Sequence, residues 1–312
     1  MRPLFDSICK NIGKVIIGKD ETIKLILTSL VSGGHVLLDD VPGTGKTVLS
    51  KSLARSLNCD FSRIQFTPDL LPSDVTGLNF FHQKENEFVF KKGPVFTNIL
   101  LADEINRATP RTQSALLECM EEKQVTIDGE TRKLSAPFFV IATENPLETT
   151  GTFPLPEAQL DRFFMKLSMG TPTVEEEVQI LQRFMKQEPL QDLQPVASGE
   201  DILTAGKESR ELYVHPMLLQ YIADIAKESR EHSSILTGVS PRGSIALLHA
   251  AQSYAYIEGR DYVVPEDIKA VAESVLAHRL VLSRAAGQHA AEKEAIRKIL
   301  DTVAVPTEDW GK

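Results

Sequence analysis

The run Asp40-Val41-Pro42-Gly43-Thr44-Gly45-Lys46-Thr47 constrains this chain more than any other stretch. It follows an apolar segment, His35 to Leu38, that reads as a buried strand. It precedes a helical period through Leu49, Leu53 and Leu57. Strand, glycine-rich turn and helix form the context in which backbone amides wrap a phosphate. Gly43 and Gly45 let those amides turn inward, and Lys46 sets a cation against β- and γ-phosphates. Thr47 offers a hydroxyl to Mg²⁺. The helix N-terminus adds its own partial positive charge. Residues Val41 through Val48 are thus the expected cradle for ATP. One departure stands out: the general pattern opens with glycine or alanine, and here it opens with Asp40.

Two more strand ends belong with this loop. Ile99-Leu100-Leu101-Ala102 runs into Asp103-Glu104. At the carboxyl edge of a sheet, Asp103 would hold Mg²⁺ through water and Glu104 would orient and deprotonate the attacking water. Alone, such a pair reads as solvated acids at a strand end. Downstream of a phosphate loop it reads as the second half of a site. Ile141-Ala142-Thr143-Glu144 leads to Asn145-Pro146, where Asn145 is placed to position the water or merely to turn the chain. No NKxD guanine reader occurs in the sequence.

The rest of the chain divides in two. Short β-like runs alternate with helices up to about Leu167, the pattern of a parallel sheet with crossover helices. Strand candidates are Phe61 to Phe66, Asn98 to Ala102 and Phe138 to Thr143, and Thr109-Pro110 reads as a capped helix start. Asn79 to Phe96, around Lys84-Glu85-Asn86, and Gln124 to Leu134, turning at Asp128-Gly129, read as hairpins. From Thr171 onward strands vanish and helices dominate. Thr173 and Glu176 form a capping box, and prolines open helices at Pro216, Pro241 and Pro265. Residues 1–169 therefore read as an α/β nucleotide-binding domain and 170–312 as a smaller helical domain. Ala285 to Lys312 reads as a terminal helix with a tail.

Composition narrows the function. With 43 acidic against 34 basic residues the formal charge is -9, which disfavours a nucleic-acid binder that must neutralise phosphates. Cys9, Cys59 and Cys119 make no CxxC pair, and no HExxH occurs, so no metal framework is expected. No apolar run approaches a membrane span, and a cytoplasmic location is expected.

Taken together these segments resemble the MoxR family of AAA+ ATPases. The resemblance is carried by Leu38 to Thr47, Gln65-Phe66-Thr67-Pro68-Asp69 through Gly77, and Ala102 through Pro110. It continues in Ala142 through Pro146, Leu155 through Phe163, Val239-Ser240-Pro241-Arg242-Gly243 and Val264 through Ile268. In that family the aspartate opening the loop is usual. The resemblance implies an AAA+ α/β core with a helical lid, a homo-oligomeric ring (a hexamer), and a partner with a von Willebrand factor type A domain. It implies Asn145 as sensor 1, Arg162 as the finger reaching a neighbour's γ-phosphate, and Arg242 as the lid's sensor 2. Arg107 and Arg111 compete for the finger role. Ile16, Ile17 and Gly18 resemble the adenine-lining segment, though Val15 to Gly18 also reads as a core strand or helix start. The hairpins resemble inserts that face a channel or substrate. The expected function is ATP hydrolysis driving chaperone-like remodelling, maturation or cofactor insertion. Alternatives are a nucleic-acid-stimulated motor and an ATP-gated interaction module with little turnover.

Overall fold

The computed structural model describes all residues except 85, 147–150, 186–187, 284–289, 309 and 311–312. In chain order the elements are α1 (Pro3–Gly13), α2 (Asp20–Val31), β1 (Val36–Asp39), α3 (Lys46–Ser56), β2 (Phe61–Gln65), α4 (Pro72–Thr76), β3 (Gly77–His82), β4 (Glu87–Lys92) and β5 (Ile99–Asp103). Next come α5 (Pro110–Glu122), β6 (Gln124–Ile127), β7 (Glu130–Lys133), β8 (Phe139–Glu144), α6 (Glu157–Leu160) and β9 (Met165–Leu167). The helical half holds α7 (Val174–Phe184), α8 (Gly199–Arg210), α9 (Pro216–Glu231), β10 (Ile235–Thr237), α10 (Pro241–Ile257), α11 (Pro265–Leu276), β11 (Val281–Leu282) and α12 (Ala290–Thr302).

The main sheet runs β2-β5-β8-β1-β9, and every pairing in it is parallel. Its strands are short and apolar because helices cover both faces: β1, β5 and β8 are buried along nearly their whole length. β1, β5 and β8 are neighbours, so their carboxyl ends, which carry the loop from Asp40, Asp103 and Asn145, open at one edge. In open α/β sheets that edge is where ligands bind.

Both expected hairpins form. β6 and β7 turn at Asp128 (φ 51) and Gly129 (φ 82), the paired left-handed conformation that a two-residue turn needs. β3 pairs with β4 from Gly77–Lys92 to His82–Glu87. The two hairpins touch: Asn79 Nδ2 donates to Asp128 Oδ2 at 2.7 Å, and the Arg132 guanidinium lies 4.1 Å from the Phe90 ring centre.

Sequence periodicity and the structure part company at three points. Strands do not vanish after Thr171: β10 and β11 form an antiparallel pair, but at three and two residues they are too short to leave a period. Thr109 occupies the N-cap of α5 without capping it, since its hydroxyl lies against Thr112 Oγ1 at 3.3 Å. The three-residue β9 and helix α8 gave no distinct sequence signal, although Ser198 and Asp201 build a capping box for α8. Of the C-terminal expectation, α12 and Trp310 are described; residues 285–289, 309, 311 and 312 lie outside the described residues. Trp310 packs on His215, ring centres 5.8 Å apart.

Helix α7 is unusual. Its capping box forms as expected, with Thr173 Oγ1 accepting from Glu176 N at 3.2 Å. Yet Val174, Val178, Leu181, Phe184 and Met185 are all exposed. Fully burying such side chains stabilises by about 1.5–3 kcal/mol each, and here half or more of that is forgone at most of these positions. Polar contacts hold the helix instead: Arg183 donates to the carbonyls of Gly13 and Lys14, and Lys19 pairs with Glu176 at 3.7 Å. The remaining helices are not detached from the core. Leu27 and Leu30 on α2, Ile202 on α8 and Ala250 on α10 belong to the same buried cluster as β1 and β8.

Candidate functional site

Pro42, Gly43, Gly45, Lys46, Thr47, Arg63, Gln65, Asp103, Glu104 and Asn145 line one cleft of about 390 Å³ at the sheet's carboxyl edge. Gly43 and Gly45 both sit at φ 87. A Cβ at either would meet nothing within 4 Å, so backbone conformation, not crowding, calls for glycine. Thr44 Oγ1 donates to Val41 O at 3.4 Å, and Lys46 Nζ donates to Asp40 O at 2.6 Å. Burial lowers the Lys46 pKa, and the nearby Asp40 and Asp103 oppose that shift only in part. Val48 follows on α3, half-buried against the core.

The acidic side of the cleft is fixed by neighbours that local sequence did not reveal. Thr143 Oγ1 donates to Asp103 Oδ1 at 2.7 Å and accepts from Glu104 N at 2.9 Å. Arg63 reaches Asp103 Oδ2 at 2.7 Å through Nη2. Gln65 Nε2 donates to Glu104 Oε2 at 2.8 Å, and Arg107 Nε lies 3.1 Å from the same oxygen. Glu104 itself adopts φ 57, a left-handed conformation that costs a non-glycine residue on the order of 1–3 kcal/mol and concentrates at functional sites. Parallel register explains these meetings: Gln65 lies across from Asp103, and Thr143 stands on the next strand of the sheet. One residue from Asn145, Glu144 is pushed up to about 7, mainly by burial.

Thr47 and Asp103 both line the cleft and offer oxygen ligands of the kind a hard divalent cation takes. Asp103 keeps one oxygen on Thr143 and the other on Arg63, so its geometry suits holding such a cation through water.

The other expected residues fall elsewhere. Ile16 is buried and Ile17 half-buried between α1 and α2, with no strand there; the helix-start reading fits. Gly18 (φ 70) lies directly under the Glu176 carboxylate. Arg162 and Arg242 are not in the cleft. They converge on Glu121 at the end of α5, Arg162 Nε at 3.5 Å and Arg242 Nη2 at 3.1 Å. A cation in the first turn of α10 opposes the helix dipole and needs an anion nearby; within this chain Glu121 lies in reach. Arg242 also lies 4.0 Å from Asp161, which Arg279 holds at 2.7 Å. Arg107 faces its own chain's Glu104, and Arg111 is exposed on the first turn of α5.

Comparison with known proteins agrees with this geometry. Residues 35–165 match the model of the ATPase family associated with various cellular activities (AAA), and residues 227–299 match the AAA lid domain. The uncharacterized protein YeaC of Bacillus subtilis is 49% identical over 99% of this chain and 97% of its own length. Chaperone MoxR1 of Mycobacterium tuberculosis is 43% identical over 94% of this chain and 80% of its own. The crystal structure of a candidate ATPase from Cytophaga hutchinsonii superposes with a TM-score of 0.91 at 41% identity, covering 98% and 96% of the two chains. With a parallel α/β core, a helical lid and a phosphate loop at the sheet edge, the chain belongs to the MoxR family of AAA+ ATPases.

Proposed function

We propose that this chain hydrolyses Mg·ATP at interfaces between copies of itself, in a ring, and uses the motion to remodel partner proteins. One observation carries the reading. Lys46, Thr47, Asp103, Glu104 and Asn145 share one cleft, while Arg162 and Arg242 lie together on Glu121, outside it. The cleft's own arginine, Arg63, is tied to Asp103 and Arg107 to Glu104, which leaves the arginine on the γ-phosphate to be supplied by a neighbour.

In this reading residues Val41 to Val48 hold the phosphates and Ile16 to Gly18 border the adenine. Mg²⁺, when bound by Thr47 and Asp103, neutralises phosphate charge. Glu104 takes the proton of the attacking water, and Asn145 holds that water from the other side. Gln65 and Arg107, both on Glu104 Oε2, keep the base aimed. Arg162, with Arg242 beside it, stabilises transition-state charge on the next subunit's nucleotide. The division falls at 169/170, with the lid moving against the core.

Chaperone-like action rests on kinship with a protein named a chaperone; a hexameric ring, a von Willebrand factor type A partner and a cytoplasmic location follow from the family resemblance. None of the described helices is long and apolar enough to cross a membrane. A nucleic-acid motor is disfavoured by the acidic balance. A module that binds ATP without turning it over has no use for Glu104 strained into place.

The test is steady-state turnover per chain across protein concentration. Activity should rise as chains associate and vanish in Lys46→Ala, and a mixture of Lys46→Ala with Arg162→Ala should recover part of it. Turnover that is independent of concentration and unaffected by Lys46→Ala would reject the reading.

A further inference from the structure

Phosphate binding gives Asp40 no evident use. A carboxylate at the mouth of a loop that attracts anions is electrostatically adverse, and the usual opening residue has no side-chain charge. Its surroundings supply another role. Asp40 is only 6% exposed, and its carboxylate is fully engaged. Oδ1 accepts from Ser168 Oγ at 2.6 Å and Gly170 N at 3.1 Å, and Oδ2 accepts from Met169 N at 2.7 Å. All three donors lie on the segment between β9 and α7, where the chain leaves the sheet for the helical half. Charge-assisted bonds of this kind are about twice as strong as neutral ones.

The main chain of Asp40 faces the other way. Its carbonyl accepts from Lys46 Nζ, and its amide donates to Glu144 O at 3.3 Å, one residue before Asn145. The preceding residue, Asp39, pairs with Lys166 at 2.8 Å with both side chains largely shielded. At its far end the same segment meets the candidate adenine side: Thr171 O accepts from Lys19 Nζ at 3.4 Å, and Glu176 covers Gly18. Residues 166–176 are therefore touched by the phosphate loop at one end and the base-lining segment at the other.

We propose that Asp40 is a positioning residue whose carboxylate ties the phosphate loop to the linker Ser168–Gly170, so that the loop's grip on a nucleoside triphosphate sets the pitch of the helical lid. This rests on the nucleotide reading above. The carboxylate does not touch nucleotide; it acts through the linker, and replacing it uncouples binding from lid movement without emptying the site.

The experiment uses the full chain with a non-hydrolysable ATP analogue and Mg²⁺. It compares Asp40→Gly, Asp40→Asn and Ser168→Ala for analogue affinity, kcat and KM, thermal midpoint and amide hydrogen exchange over 167–173. Asp40→Gly should keep affinity and KM within about threefold while kcat falls roughly 10–100-fold, the signature of an interaction used after binding. The nucleotide-dependent exchange protection of Met169 and Gly170 should disappear. Asp40→Asn keeps an acceptor for Ser168 and Gly170 but sets an amide against Met169 N–H, and should fall between. Adding Ser168→Ala to Asp40→Gly should cost little further in kcat, because the bond from Ser168 Oγ to Asp40 is already gone and only the one from Gly170 N to Ser168 Oγ is left to lose. Should Asp40→Gly prove too unstable, the other two variants decide: a lower kcat at unchanged KM in both supports the tether, and its absence in both overturns it. Wild-type kcat and wild-type protection in Asp40→Gly also overturn it, as does a loss of affinity matching Lys46→Ala, which would make Asp40 part of the phosphate site. Absence of Mg·ATP binding by the unmodified chain would sink the nucleotide reading instead.

Discussion

The nucleotide cleft and the arginine face are built in opposite ways. In the cleft each acidic group is held from two directions, Asp103 by Thr143 and Arg63 and Glu104 by Gln65 and Arg107, and Lys46 is held by the Asp40 carbonyl. On the arginine face Arg162, Arg242 and Glu121 remain between about a third and a half exposed, and such surface pairs contribute only ~0–1 kcal/mol. The exception is Arg279, nearly buried, which anchors Asp161 beside Arg162. On the proposed ring reading, the contrast separates what one chain finishes by itself from what it offers to another. The difference lies in the acids: Asp103 and Glu104 are largely shielded and each held by two partners, whereas Glu121 is 40% exposed.

Four measurements can break or sharpen that contrast. The largest effect is expected for Arg162→Ala, which should lower turnover by roughly 10³–10⁵-fold, the range for arginine fingers, while analogue binding survives. If Arg107→Ala or Arg111→Ala produced that loss and Arg162→Ala did not, the assignment of the arginine face would move. Glu104→Gln should reduce turnover by about 10²–10⁴-fold through loss of the general base, with Mg·ATP affinity retained and partners held longer. Equal turnover in the two proteins would remove Glu104 from the chemistry.

The third is a pH effect on the pinned region. His35 is buried and its pKa is lowered to about 4, chiefly by burial; Nδ1 accepts from Val140 N and Nε2 donates to Met120 O. A neutral folded histidine contributes stability that is present above its unfolded pKa of roughly 6.5 and is lost as pH falls toward 4, by up to about 3 kcal/mol. Buried His278 is shifted in the same direction and adds to the loss. Urea midpoints between pH 7 and 4.5 should show it, and His35→Gln should flatten part of the slope. An unchanged slope would mean that other groups set the acid response. The smallest effect is expected for Thr143→Val, which leaves Asp103 and the Glu104 amide each one hydrogen bond short. A cost of about 1–3 kcal/mol is expected, seen as weaker Mg²⁺ dependence more than as unfolding. Arginine-face variants should show no such Mg²⁺ phenotype.

Much of the cleft was legible in the sequence because it is local. The loop from Asp40 to Thr47, the Asp103-Glu104 pair and Asn145 each stand at the end of a contiguous apolar run, and position along one strand is enough to place them. Thr143, Gln65 and Arg63 were not legible as site residues. Their roles depend on which strands lie side by side and in what register, and on partners some 40 positions away. The same holds for the Asp40 carboxylate: the sequence marks it as a departure, but its partners, Ser168 to Gly170, lie 128–130 positions further on. Arg242 was found as a residue and not as a location, since a helix start gives no hint of the surface it faces. The helical half was read for its long, proline-started helices and misread where strands of two or three residues carry no period.

The contact between the two hairpins also has a mechanical side. Asn79 on Asp128 and Arg132 over Phe90 join β3–β4 to β6–β7 side by side, with Phe81 and the largely exposed Phe88 near the tip. β6 leaves directly from the end of α5, and α4, which runs into β3, packs on the same helix. On the proposed remodelling function, a load at the tip would reach α5 through both hairpins together. The near end of that helix begins six residues after Glu104, so that load would arrive beside the chemistry.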